Sequence, residues 1–158
     1  MNLDINTPKG KKSLEGEREA IEKFEKGNPG YHYAETPKDE PASIDGIIHR
    51  EGVIRAIVEV KVRNMTRQKL TSYADKWLIT ASKVERGKQI SKHLRVPFMG
   101  FLYLIPERRL FILPVTDSQG EYLFQFQTKE SHTQKTCNGG VVVRLNAYLP
   151  MNSAREQK

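Results

Sequence analysis

Several things are scarce in this chain of 158 residues, and each scarcity narrows what it does. Cysteine occurs once, as Cys137 in a turn-like Thr-Cys-Asn-Gly-Gly stretch. No internal disulfide can form, and neither a zinc site nor a cysteine nucleophile has support, which favours a reducing cytoplasm. No apolar run is long enough to span a bilayer, and Met1 to Lys12 lack the apolar stretch of a signal peptide, so no membrane role is expected. His32, His49, His93 and His132 have no metal-ligand spacing and read as surface residues. Phosphate-binding loops, dinucleotide-binding loops, Ser-His-Asp arrangements and internal repeats are all missing. Acid is in deficit too: 19 Asp and Glu face 26 Lys and Arg, a net charge of +7. A basic surplus fits a polyanionic partner, nucleic acid before membrane, and says nothing about fold.

The length suits one domain with a real core. Its most informative stretch runs from Ile44 to Val62. Two β-branched runs, Ile44 to Ile48 and Val53 to Val62, flank the polar turn His49-Arg50-Glu51-Gly52, as in a hairpin. Strand side chains alternate faces, so Glu59 and Lys61 share a face, and a hairpin brings Asp45 of the partner strand near Glu59. Two carboxylates and an ammonium then converge. Such an oxygen cluster suits a hard cation such as Mg²⁺, and a metal beside a lysine can hold a phosphate and activate water for phosphodiester hydrolysis. The bland reading is an exposed strand face with a Glu59–Lys61 charge pair; Ile57 on the same face argues for partial burial.

Residues 13 to 26 read as an amphipathic helix, with Ser13 as N-cap and Gly27 as stop. Leu14, Ile21 and Phe24 form its apolar stripe, and Glu17 projects into the middle of it. A carboxylate on a buried face needs a partner, either an active-site group or a basic residue at the core's edge. A second helix is expected from Thr80 or Ser82 to about Leu94, closed off by Pro97. Lys83 falls on its inner face, where it either meets a charge or snorkels outward. Strands are expected near Tyr31 to Ala34, at Phe98 to Ile105, Arg109 to Val115, Tyr122 to Gln127 and Val141 to Leu145. The helix between Ile79 and Phe98 makes a strand-helix-strand crossover, so part of the sheet should be parallel.

The residues Asp45, Glu59 and Lys61, with Glu17 as a fourth, resemble the PD-(D/E)xK nuclease superfamily, over roughly residues 13 to 105. The family's proline before the aspartate is Ile44 here, with Pro41 slightly earlier. The resemblance implies an α/β (α+β) restriction-endonuclease-like core, a mixed sheet flanked by helices. It implies an Mg²⁺- or Mn²⁺-dependent nuclease acting on DNA; the compact size, without a recognisable specificity domain, suggests a structure-selective one, phage or mobile-element encoded. Asp45, Glu59, the Val60 carbonyl and Glu17 would hold the metal, Lys61 would serve the attacking water and the phosphate, and Lys83 would be the auxiliary residue on the following helix. Arg63, Arg67, Lys69, Lys129 and Lys135 are candidate nucleic-acid contacts, the alternative being solvated loops. A homodimer cutting two strands follows by analogy. The rival reading is a non-catalytic nucleic-acid-binding protein that keeps the fold. The expected organisation is a loose arm at 1 to 12, one domain at 13 to 150 and a frayed tail at 151 to 158.

Overall fold

The computed structural model describes residues 8–37, 42–135 and 141–158, with side chains described throughout except at 131–135 and 141–142. Pro41 and Cys137 therefore lie outside the described residues. A first helix, α1 (Pro8–Gly27), begins earlier than the expected Ser13. Pro8 suits a helix start, where its missing N–H costs nothing, and Lys9, Lys11 and Lys12 are good helix formers. Part of the expected loose arm is thus helical; polarity there marks a solvated first turn. The helix buries Gly16, Ala20, Ile21 and Phe24.

The hairpin forms as read. Strand β1 (His32–Glu35) pairs with β2 (Gly46–Arg50), which pairs antiparallel with β3 (Val53–Arg63). The turn is tighter than expected: Glu51 and Gly52 sit at φ 52° and 75°. Two successive left-handed residues make the turn whose twist matches a two-residue hairpin, and Gly52 takes its position without steric cost.

After β3 comes a short helix, α2 (Arg67–Thr71), where a loop was expected. The Thr66 hydroxyl caps it by accepting the Lys69 N–H at 3.1 Å, and Leu70 is buried beneath. Strand β4 (Lys76–Thr80) leads into α3 (Ala81–Leu94), then β5 (Phe98–Leu104) and β6 (Arg109–Pro114). Strand β3 is parallel to β5, from Ile57 opposite Phe98 to Arg63 opposite Leu104. The expected parallel crossover is present, but its two strands are β3 and β5. Strand β4 joins a second sheet with β7 (Gln127–Lys135) and β8 (Val141–Pro150), in the order β4-β8-β7.

The central sheet has the order β1-β2-β3-β5-β6-β9, where β9 (Arg155–Gln157) adds to β6. This corrects the expectation of a frayed tail: Met151 is buried, and Glu156 binds Arg109 at 2.7 Å. A second correction concerns residues 122–126, which form no strand ladder beyond one bridge between Thr116 and Tyr122. Tyr122, Phe124 and Phe126 still turn inward together, so their alternation reported burial rather than strand pairing.

One apolar cluster lies between α1 and the sheet, built from Ala20, Phe24, Val58, Val60, Phe101 and Ile112. The other joins the opposite face to α3 and the second sheet through Ile57, Trp77, Val84, Phe98, Leu102 and Leu149. Strand β3 thus has helices over both faces, which is why its buried run from Ala56 to Val60 is apolar but for one residue. A charged residue inside that run is conspicuous.

Candidate active site

Glu59 is that residue. It lies on β3 between Ile57 and Lys61 on the face toward α3, and is only 1% exposed. Strand β2 ends at Gly46, opposite Val58, so β3 runs on past its neighbour. Asp45 fills the gap. Its N–H donates to the Val58 carbonyl at 3.0 Å, and its Oδ2 accepts the Val60 N–H at 2.7 Å. A side-chain carboxylate thereby takes the ladder bond that the missing strand would have made. In an extended strand the N–H and C=O of one residue point to the same edge. The Val60 carbonyl therefore projects to the open edge where Asp45 stands.

Thr36 holds the aspartate's backbone. Its N–H donates to the Asp45 carbonyl at 2.9 Å, and its hydroxyl reaches the Ile44 and Asp45 carbonyls at 2.8 Å each. Lys83, in the first turn of α3, donates to the Ala42 carbonyl at 2.8 Å and lies 3.8 Å from Glu59 Oε2. It turns inward to a charge rather than snorkelling outward, and ties the loop before Asp45 to the helix.

Lys61 Nζ sits 3.2 Å from Glu59 Oε1. Among the described residues neither carboxylate oxygen of Glu59 has an aligned hydrogen-bond donor, although both are buried. The 3.2 Å contact is thus an ion pair that leaves lone pairs unspent. Burial pushes the Glu59 carboxyl up to about 7, with Asp45 adding to the rise while Lys61 and Lys83 oppose it. A buried carboxylate with bare oxygens is costly unless something cationic completes its shell.

Tyr33 is a site residue that sequence reasoning missed. Its hydroxyl is buried and has no hydrogen-bond partner among the described residues. Burial, followed by the charges of Asp45, Glu17, Glu35 and Glu59, raises its ionisation well above the ordinary phenol value. The charge of Glu17 on α1 thus acts on the same hydroxyl. The Tyr33 ring lies against Gly46, where a Cβ would come within 2.4 Å of Cζ and 2.7 Å of the Ala34 carbonyl. A glycine directly after Asp45 was the signal available in the sequence.

The candidate nucleic-acid contacts fare differently. Arg63 donates to the Val62 and Leu78 carbonyls at 3.1 and 3.0 Å, stitching β3 to β4. Arg67 pairs with Asp75 and lies 5.7 Å from the Phe111 ring centre. Lys69 is exposed, over Tyr73. Lys129 is exposed on β7; Lys135 has its backbone on that strand and its side chain outside the described residues. Asp45, Glu59, Lys61 and Lys83 therefore converge, while Lys129 and Lys135 belong to the second sheet.

A family model described as "Phage putative PDDEXK endonuclease" matches residues 11–125. The chain belongs to this family. The match runs from within α1 to beyond β6 and includes every residue of the Asp45–Glu59–Lys61 cluster, with Glu17, Tyr33 and Lys83. Strands β7, β8 and β9 lie beyond it, so the second sheet draws two of its three strands from outside the PDDEXK region. No curated protein and no solved structure matches the chain. PDDEXK nucleases generally use divalent metals. Among the described residues no three His, Cys, Asp or Glu are gathered closely enough to form a metal cluster by themselves. The donors that do fit are Asp45, the bare oxygens of Glu59 and the Val60 carbonyl, an all-oxygen set suited to a hard cation completed by water. Among the described residues no helix is long and apolar enough to cross a membrane.

Proposed function

We propose that this PDDEXK endonuclease is an Mg²⁺- or Mn²⁺-dependent deoxyribonuclease that hydrolyses phosphodiester bonds in the host cytoplasm. The observation that carries the reading is Glu59: a carboxylate 1% exposed, without an aligned donor among the described residues, beside Asp45 and between two lysines. Asp45 and Glu59 would hold the cation with the Val60 carbonyl, and Glu17 would act from α1 through water. When bound, such a cation supplies Lewis acidity to a phosphate oxygen and makes a nearby water more acidic. The chain supplies the rest. Lys61, 25% exposed at its side chain, turns from Glu59 toward the substrate, where its ammonium stabilises charge growing on the phosphate. Lys83 keeps the loop before Asp45 in place through the Ala42 carbonyl. The Tyr33 hydroxyl, its proton held by burial and then by the surrounding carboxylates, would donate to a water at the site.

The test pairs binding with turnover. Mn²⁺ should raise the melting temperature of the wild type by binding the folded state, and Asp45→Ala should lose both that rise and DNA cleavage. An equal rise in wild type and variant removes Asp45 from the metal site. Absence of cleavage across linear, nicked, branched and single-stranded DNA, with either cation, would favour a non-catalytic binding protein instead.

A further inference from the structure

A second feature lies at the opposite end of β3 from the acidic cluster and over its opposite face. The hairpin register slips there: Ile48 pairs with Ala56 but His49 pairs with Ile54, leaving Arg55 without a partner across the strand. An extra residue of this kind bends the strand and re-aims its side chain. Regular alternation would turn Arg55 away from Ala56. Instead both line one groove of about 360 Å³ on the α1 side, together with Ile48. Phe24 and Met99 complete an apolar floor, Tyr31 forms a wall, and Arg155 of β9 closes the rim. The Arg50 guanidinium stands 5.0 Å from the Tyr31 ring centre.

Among the described residues neither Arg55 nor Arg155 meets a carboxylate, and both are exposed. An apolar floor with an aromatic wall and two free guanidiniums is complementary to a flat apolar ring that carries an anion. Guanidiniums suit phosphate because their donors form a planar fork, and every nucleobase offers a face for stacking. A groove of this volume lies in the range of small-ligand sites, enough for about one nucleotide. Arg55 precedes Lys61 by six residues on β3, about 20 Å along an extended strand. The groove is therefore separate from the hydrolytic cluster.

We infer that this groove is a binding site for single-stranded nucleic acid, taking one base against Tyr31 and the apolar floor and its phosphate on Arg55 and Arg155. This goes beyond the proposed hydrolytic reading and does not depend on it, because binding is read in EDTA, without turnover. The probe is a fluorescein-labelled oligothymidylate of eight nucleotides, followed by anisotropy at low salt. Arg55→Ala with Arg155→Ala should weaken binding at least tenfold, and Tyr31→Ala at least fivefold. No metal is present in EDTA, which keeps failure here distinct from failure of the metal site. Both arginines are exposed, so the double variant should melt as the wild type does. An abasic oligonucleotide of the same length should bind the wild type as weakly as the oligothymidylate binds Tyr31→Ala. Equal affinity of wild type and the double variant overturns the inference. So does equal binding of the abasic strand, or equal competition by oligoglutamate, either of which reduces the groove to a generic basic surface.

Discussion

Glu59→Gln should make the metal-free protein more stable while abolishing its chemistry. Burial moves the carboxyl from its ordinary 4.5 to about 7, and each pH unit is worth about 1.4 kcal/mol, so the ionised form costs roughly 3 kcal/mol in the fold. With the side chain 1% exposed, solvent screening does not reduce that figure much. Losing the contacts to Lys61 and Lys83 offsets part of the gain, but both ammoniums are partly exposed and can turn to water. A net gain of about 2 kcal/mol corresponds to roughly 4–8 °C in melting temperature for a domain of this size. The sign follows from linkage. The folded state binds this proton more tightly than the unfolded state. Wild-type stability is therefore undiminished below about 4.5 and falls as pH rises toward and through 7. The other titrating groups are common to both proteins, so the difference between them isolates Glu59. Melting both in EDTA at pH 5 and pH 8 should give near-equal values at pH 5 and a higher value for the variant at pH 8. A variant that is less stable at pH 8, or a difference that ignores pH, would refute the buried-carboxylate argument.

Other expectations can be checked with the same material. Tyr33→Phe removes only a buried, unpartnered hydroxyl, so metal-free stability should hold or rise by about 1 kcal/mol while turnover drops at least tenfold; unchanged turnover would leave Tyr33 a packing residue. Lys69→Ala should flatten the log–log salt dependence of duplex binding by about 0.9, as expected for one lost phosphate contact. Arg63→Ala, which loses its bonds to the Val62 and Leu78 carbonyls, should lower stability and leave that slope alone; the reverse pattern would make Arg63 the phosphate contact.

The convergence of the candidate site residues was more legible in the sequence than several of the elements around them. The Asp45–Glu59–Lys61 arrangement needs only strand alternation and a tight turn, both local features, and Glu51-Gly52 supplied the turn. Lys83 was legible for a related reason: a lysine on the inner face of a regular helix must find an acceptor. Tyr33 was not, because its relation to Asp45 runs through strand pairing and through the bare backbone of Gly46. Arg63 could not be told from a surface arginine, since its acceptors are carbonyls on a strand that adjoins it only after folding. Strand β4 and the tail β9 escaped for the same reason. Strand β4 belongs to a sheet completed by residues far along the chain, and β9 is three residues held by β6 and by Arg109–Glu156. The bulge at Arg55 was hidden too, since a one-residue slip in register leaves no mark in composition.

Lys61 tests the hydrolytic account most directly. Its side chain pairs with Glu59 and is partly exposed, so Lys61→Ala should fold, keep its stabilisation by Mn²⁺ and bind DNA in Ca²⁺ to within several-fold of wild type. Its single-turnover cleavage rate should fall by about 10² or more, the scale expected when one preorganised charge-stabilising donor is lost. A Lys61→Ala protein that cuts DNA as fast as the wild type would contradict the account.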